Sequence, residues 1–341
     1  MKSSSLLILI PLAILASCGA PDKKATNRPQ QKIVFHGKAQ GTFYNVTYYG
    51  ADTVVTQKAM DSLLSAFDLC ASMYNPKSII SRINRNEPVE ADSSFKAIFN
   101  LAMDVSEKSG GAFDITVGPL VNAWGFGFKQ KIKLSKAKVD SLRQYVGYKN
   151  VHLEGNKVVK SNPGIILDFN AIAQGYSVDL LAHFLERKGI TDYLIEIGGE
   201  VIGKGKKADG KSWVVGVEKP SSDMYQNQEV KTTIKLENMA VSTSGSTRKY
   251  YEENGIRYSH TIDPATGYPV KHSLLSVSVL APTCAVADAY ATVFMVLGLE
   301  KSKEFLKKNK QLNAYFIYSD KDTKLKTYAT EGFQKVILEE N

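Results

Sequence analysis

The chain is poor in cysteine, histidine and tryptophan: 341 residues hold three cysteines, five histidines and two tryptophans. So few cysteines make no disulfide framework, and no Cys/His spacing suits zinc. A G-x-x-x-x-G-K-[ST] loop and a G-x-G-x-x-G turn are both absent, so the P-loop and Rossmann nucleotide folds lack support. There is no internal repeat, and no motif for nucleic-acid binding. Strict strand–helix alternation is also missing. That favours an α+β fold with mixed, mostly antiparallel sheets and packed helices.

What is present begins with an ordinary globular balance of 43% apolar and 23% charged residues. The net charge of +9 comes from scattered lysines, among them Lys129, Lys131, Lys133, Lys204, Lys206, Lys207, Lys307 and Lys308. They read as a solvated basic surface or as attraction to an anionic substrate or membrane. Lys2 and the apolar Leu6–Ala16 form a targeting segment too short to span a bilayer. Leu15-Ala16-Ser17-Cys18 resembles a bacterial lipoprotein signal, in which Cys18 is lipidated; a plain secretory signal is the alternative. Residues 19–31 are polar, with Pro21 and Pro29, and read as a flexible tether. The expected organisation is a leader (1–18), a tether (19–31) and a folded domain (32–341). It implies an exported protein, anchored by lipid on the extracytoplasmic side of a membrane.

Apolar spacing predicts two strands in Ile33–Tyr49 and helices over 58–72, from Ser93 or Ser94 to Gly110, and over 135–146. A hairpin follows at 151–160, a buried strand at Ile165–Asp168 and a helix from Gln174 to Lys188. Strands are expected at 193–197, 201–206, 213–218, 230–236, 239–243 and 275–281. Helices at 285–297 and 300–308 precede two closing strands, 314–318 and 324–329.

Four segments punctuated by glycine and acid stand apart from this core pattern: Gly111–Leu120, Asp168–Asp179, His260–Pro269 and Cys284–Gly298. In the last, Asp288 and Thr292 share one helical face. A buried carboxylate needs a partner, and a cation or a hydrogen-bonding loop would serve. Carboxylate plus hydroxyl suits Mg²⁺, a hard cation that takes oxygen ligands. Asp168 ends an apolar strand before a helix, where it is either an N-cap or a polar ligand contact. His260 precedes the turn Asp263–Gly267 and is a general-base candidate or a structural histidine. Phe113 and Tyr74 are candidates for stacking on a planar ligand, with core packing as the alternative for Phe113. Ser242–Thr247 reads as a hydroxyl-rich loop, either a tight turn or a phosphate-facing surface.

In this order, the segments resemble the ApbE-like FAD:protein FMN transferases. The resemblance runs from about Phe35 to the C-terminus. It includes Gly41–Tyr44, Ser72–Pro76, Ser81–Asn84, Glu196–Glu200 and the 241–247 segment. It implies Mg²⁺-dependent transfer of FMN from FAD to a Thr or Ser hydroxyl of an acceptor protein, with release of AMP. It implies FAD contacts from Gln40, Tyr74, Ala112, Phe113, Asp114, Asp168, Gln174, Thr261 and Ile262. It places Mg²⁺ (or Mn²⁺) on the Ala171 carbonyl and the side chains of Asp288 and Thr292, with His260 as the base. The acceptors it implies resemble subunits of membrane electron-transfer or sodium-pumping complexes. Gln174 stands where many relatives carry Glu or Lys. Two other readings stay open: an Mg²⁺-dependent FAD pyrophosphatase and a non-catalytic FAD-binding lipoprotein.

Overall fold

The computed structural model describes residues 31–50, 54–127, 134–220, 229–245, 250–253, 256–322 and 324–340. The leader, Cys18, nearly all of the tether, and Lys129, Lys131 and Lys133 lie outside these residues. In chain order the elements are β1 (Gln31–Ala39), β2 (Thr42–Gly50), α1 (Gln57–Ala71), α2 (Ile79–Asn84), α3 (Ser93–Lys108), α4 (Gly118–Ala123), α5 (Lys136–Arg143), β3 (Val151–Glu154) and β4 (Lys157–Lys160). Then come α6 (Ala173–Arg187), β5 (Tyr193–Ile197), β6 (Glu200–Lys204), β7 (Trp213–Glu218), β8 (Val230–Leu236), β9 (Met239–Gly245), β10 (Tyr250–Glu253) and β11 (Ile256–Ser259). The chain closes with β12 (Leu274–Ala281), α7 (Cys284–Lys308), β13 (Asn313–Ser319), β14 (Leu325–Ala329), α8 (Glu331–Gln334) and β15 (Ile337–Glu340).

Eight strands form one sheet in the order β1-β2-β5-β6-β9-β12-β13-β14, antiparallel at every pairing. The α+β expectation with mostly antiparallel sheet holds. Its central strands are apolar on both faces, and side-chain alternation divides them. Val277, Val279, Ala314 and Phe316 face a core shared with α3 and α7. Leu280, Tyr315 and Ile317 face Trp213, Ile234 and Phe333, beneath the three-stranded sheet β15-β8-β7. At the other end, Tyr44, Val46, Tyr193 and Ile195 pack with α1 and α6.

Several expectations need correction. Asp92, not Ser93 or Ser94, caps α3, accepting from the Phe95 N–H at 2.7 Å. Ile165–Asp168 joins none of the sheets: it makes one isolated parallel bridge, Ile166 to Val117, with the Asp168 N–H donating to the Ile115 carbonyl at 2.7 Å, and a side chain supplies further bonds. The Asn84 amide donates to the Leu167 carbonyl at 2.8 Å and accepts from its N–H at 2.7 Å. Ser242–Gly245 is not loop but the end of β9, where Thr243 and Ser278 hydroxyls pair across strands at 2.7 Å. Ser246 and Thr247 lie outside the described residues. The two expected C-terminal helices are the halves of α7, broken at Gly298 (φ 72°, ψ 174°).

Candidate functional site

One cavity of about 1030 Å³ opens where the loops of the four segments meet the middle of the large sheet. All thirteen residues that the sequence puts forward as FAD contacts, ion ligands or base line it.

The β1–β2 hairpin brings in Gln40. Its two-residue turn puts Gln40 (φ 52°) and Gly41 (φ 76°) in the left-handed region, as the tightest hairpin turns require. Gln40 is one of the few non-glycines held there, and its amide donates to the Ser177 hydroxyl on α6. Tyr74 follows α1 and stands 70% exposed at the cavity edge. Partial desolvation and the nearby Asp168 carboxylate push its phenol up.

The Ala112–Asp114 loop is held from within. Asp114 accepts from the Thr116 N–H (2.8 Å) and hydroxyl (2.6 Å) and from the Tyr148 N–H (2.8 Å). Burial still pushes its carboxyl up. Phe113 lies in the main apolar core as well as on the cavity wall. Gly118 lets this segment cross the 165–168 strap, since a Cβ there would sit 2.7 Å from the Ile166 carbonyl oxygen.

Asp168 ends that strap. The Asn170 N–H donates to it at 2.8 Å, yet burial lifts its carboxyl to about 6. Ala171 follows, and α6 opens with Ala173 and Gln174. The Gln174 amide donates to the Ile197 carbonyl at 2.8 Å and to the Glu200 carboxylate. Asp288 faces this helix start from α7, accepting from the Gly175 N–H at 3.1 Å. Burial pushes Asp288 up to about 7. Thr292 lies one turn further along the same wall.

His260 directly follows β11 and lies half-buried, its ring 6.3 Å from that of Phe126 and steeply tilted to it. Thr261 and Ile262 are buried beside it. The turn behind them is rigid. Asp263 accepts from the Ala265 N–H (2.9 Å), and the Trp124 indole donates to the Gly267 carbonyl (2.8 Å).

Glu200 stands in the Glu196–Glu200 motif, but sequence reasoning assigns it no role in the site. It follows the Gly198-Gly199 turn between β5 and β6 and lines the cavity. Burial first, and the facing Asp288 carboxylate second, push its carboxyl well above the usual range. The paired glycines (φ 58° and 108°) before an acid were its signal.

Among the described residues no group of three His, Cys, Asp or Glu side chains gathers around an ion position. The donor set is sparser: one carboxylate, one hydroxyl and one carbonyl. Gly175 is the single described donor to Asp288, so the carboxylate keeps an oxygen for another partner. Hard oxygen donors with positions to spare fit Mg²⁺, which keeps waters and shares substrate phosphates.

Together, the antiparallel sheet and its loop-lined cleft define a protein built to take one large polar ligand beside a carboxylate–hydroxyl pair. The chain belongs to the ApbE family, whose model matches residues 40–316. It is 35% identical to the FAD:protein FMN transferase of Vibrio cholerae serotype O1, covering 96% of this chain and 97% of that one. It is 32% identical to that of Escherichia coli K12, covering 98% and 97%. Among solved structures, the flavin transferase ApbE from Vibrio cholerae aligns with a TM-score of 0.79 at 33% identity, covering 90% of this chain and 100% of that one. The apo flavinyl transferase ApbE of Pseudomonas stutzeri gives 0.80 at 31% identity, covering 90% and 97%.

Proposed function

We propose that this chain is an FAD:protein FMN transferase, moving the FMN half of FAD to a Thr or Ser hydroxyl of an acceptor protein and leaving AMP. The observation that carries the reading is the convergence of His260, the Asp288–Thr292 turn and the Gln40, Ala112–Asp114 and Asp168 segments on one cavity. Its volume of about 1030 Å³ lies at the top of the range of small-molecule sites, about 300–1,000 Å³. A dinucleotide-sized ligand needs that room.

The acceptor oxygen bonds to the FMN-side phosphorus while the diphosphate P–O bond breaks, and AMP leaves with the bridging oxygen. His260 takes the hydroxyl proton, a role worth about 10²–10⁴-fold. Tyr74 and the Ala112–Asp114 loop hold the ring systems. The Ala171 carbonyl, Asp288 and Thr292 would hold Mg²⁺, which when bound supplies positive charge against the diphosphate. A lipid on Cys18 and the 19–31 tether keep the enzyme at the extracytoplasmic membrane face, where electron-transfer or sodium-pumping subunits present their acceptor loops.

The purified protein, given FAD, should release AMP only with both Mg²⁺ and an acceptor present. AMP and free FMN without acceptor would make it a pyrophosphatase. Intact FAD retained with no AMP would make it a binding protein.

A further inference from the structure

The start of a helix leaves backbone N–H groups without partners inside the helix. Neither α6 nor α7 caps itself: Ile172 and Thr283, at their N-cap positions, make no side-chain cap hydrogen bond. Each helix instead borrows an aspartate from the other. Asp288 of α7 accepts from the Gly175 N–H in the first turn of α6. Asp179 of α6 accepts from the Cys284 N–H at 2.7 Å and the Ala285 N–H at 2.9 Å, the first two of α7. Asp179 is 6% exposed and lies outside the main cavity. The ligand site therefore does not explain it.

We infer that Asp179 is a positioning residue for the cation site: its two-pronged grip on the start of α7 fixes where Asp288 and Thr292 point. Asp288 is four residues beyond Cys284, about one helical turn, and Thr292 one turn more. A helix transmits a shift at its first turn to both. The backbones touch at this spot, since a Cβ on Gly175 would lie 2.5 Å from the Cys284 carbonyl oxygen. The contact leaves α7 a single seating as long as its first N–H groups stay bonded. The two donors go to separate oxygens of Asp179, Oδ1 and Oδ2, and a carboxylate supplies both. Asparagine supplies one. The negative charge also suits the positive end of α7. This inference rests on the proposed cation site.

Binding of Mn²⁺, followed by loss of the free-ion electron paramagnetic resonance signal, tests it without turnover. The full protein with FAD would be compared with Asp179→Asn, Asp179→Ala and Val178→Ala. Val178 is a fully buried core residue next to Asp179 and controls for general loosening of α6. FAD affinity would be read by fluorescence without metal. The expected order of Mn²⁺ affinity is wild type, then Asp179→Asn, then Asp179→Ala, the last weaker by about 10-fold or more, as for other residues that orient metal ligands. FAD affinity should stay within about twofold across the set. Equal Mn²⁺ affinity in wild type and Asp179→Ala would overturn the inference while leaving the cation site standing. So would a matching loss in Val178→Ala at the same fall in melting temperature. A wild type that binds no Mn²⁺ would remove the cation site itself, and the inference with it.

Discussion

Gly175→Ala adds one methyl group at the closest approach of α6 and α7. The new carbon would stand 2.5 Å from the Cys284 carbonyl oxygen, 2.7 Å from its carbon and 2.9 Å from the Ala285 Cα. All three are backbone atoms, so no side chain can swing aside. Ordinary contact begins at 3.4 Å, so α7 must withdraw by about 1 Å. Overpacking of this kind costs about 1–3 kcal/mol, or a few degrees in melting temperature. The chemistry should suffer more. The withdrawal carries Asp288 off the Gly175 N–H, and a misplacement of about 1 Å can cost about 100-fold in rate. Gly175 does not line the cavity, so FAD binding should change little. The assay is AMP release against Mg²⁺ concentration, alongside a thermal melt and an FAD titration. A lower melting temperature with wild-type rate and wild-type Mg²⁺ dependence would refute the reasoning.

Three more outcomes are expected. His260→Ala should slow transfer by about 10²–10⁴-fold while FAD binds as before, and an unchanged rate would move the base elsewhere. Asn84→Ala strips the Leu167 N–H and carbonyl of their partner and should cost about 1–3 kcal/mol in urea denaturation; a loss under about 0.5 kcal/mol would mean that Asn84 does not hold the strap. Burial raises Asp168 and Asp179 from 3.8 to about 6. The folded state therefore binds their protons more tightly, and the stability this contributes is full below about pH 3.8 and lost as pH rises through about 6. Most exposed carboxylates stay charged down to about pH 5, so the metal-free protein should be more stable at pH 5 than at pH 7.5, by about 1 kcal/mol per group. Melts that are flat or fall toward pH 5 would contradict that.

The sequence revealed the elements wherever one face or one turn decided the pattern. The β1–β2 hairpin, α6 and both halves of α7 could be read from apolar spacing bounded by glycine. It misled where tertiary contacts substitute for local rules. Ile165–Asp168 is as apolar as a strand, yet it joins no sheet: a single bridge to Val117 and the Asn84 side chain hold it, and no local pattern announces either. Ser242–Gly245 reads as a loop because serine and glycine favour turns. In β9 its hydroxyls find cross-strand partners such as Ser278. Much of the site was legible because its residues sit at or beside turns, where glycine, proline and acid stand out, while Asp288 and Thr292 showed as polar residues on one face of an apolar helix. Glu200 stood in a named motif without a role, because its burial and the Asp288 carboxylate facing it arise only in the fold. Asp179 did so too, since the sequence shows it as one more residue of α6 and only the fold brings it to the start of α7.

The most direct test of the central claim is the intact mass of an acceptor protein bearing a Ser/Thr-Gly-Ala-Thr-type loop after incubation with this protein, FAD and Mg²⁺. A gain of one FMN on that loop, matched by released AMP and lost when its acceptor hydroxyl is removed, is the predicted result. An acceptor of unchanged mass while FAD is cleaved to free FMN and AMP would contradict it.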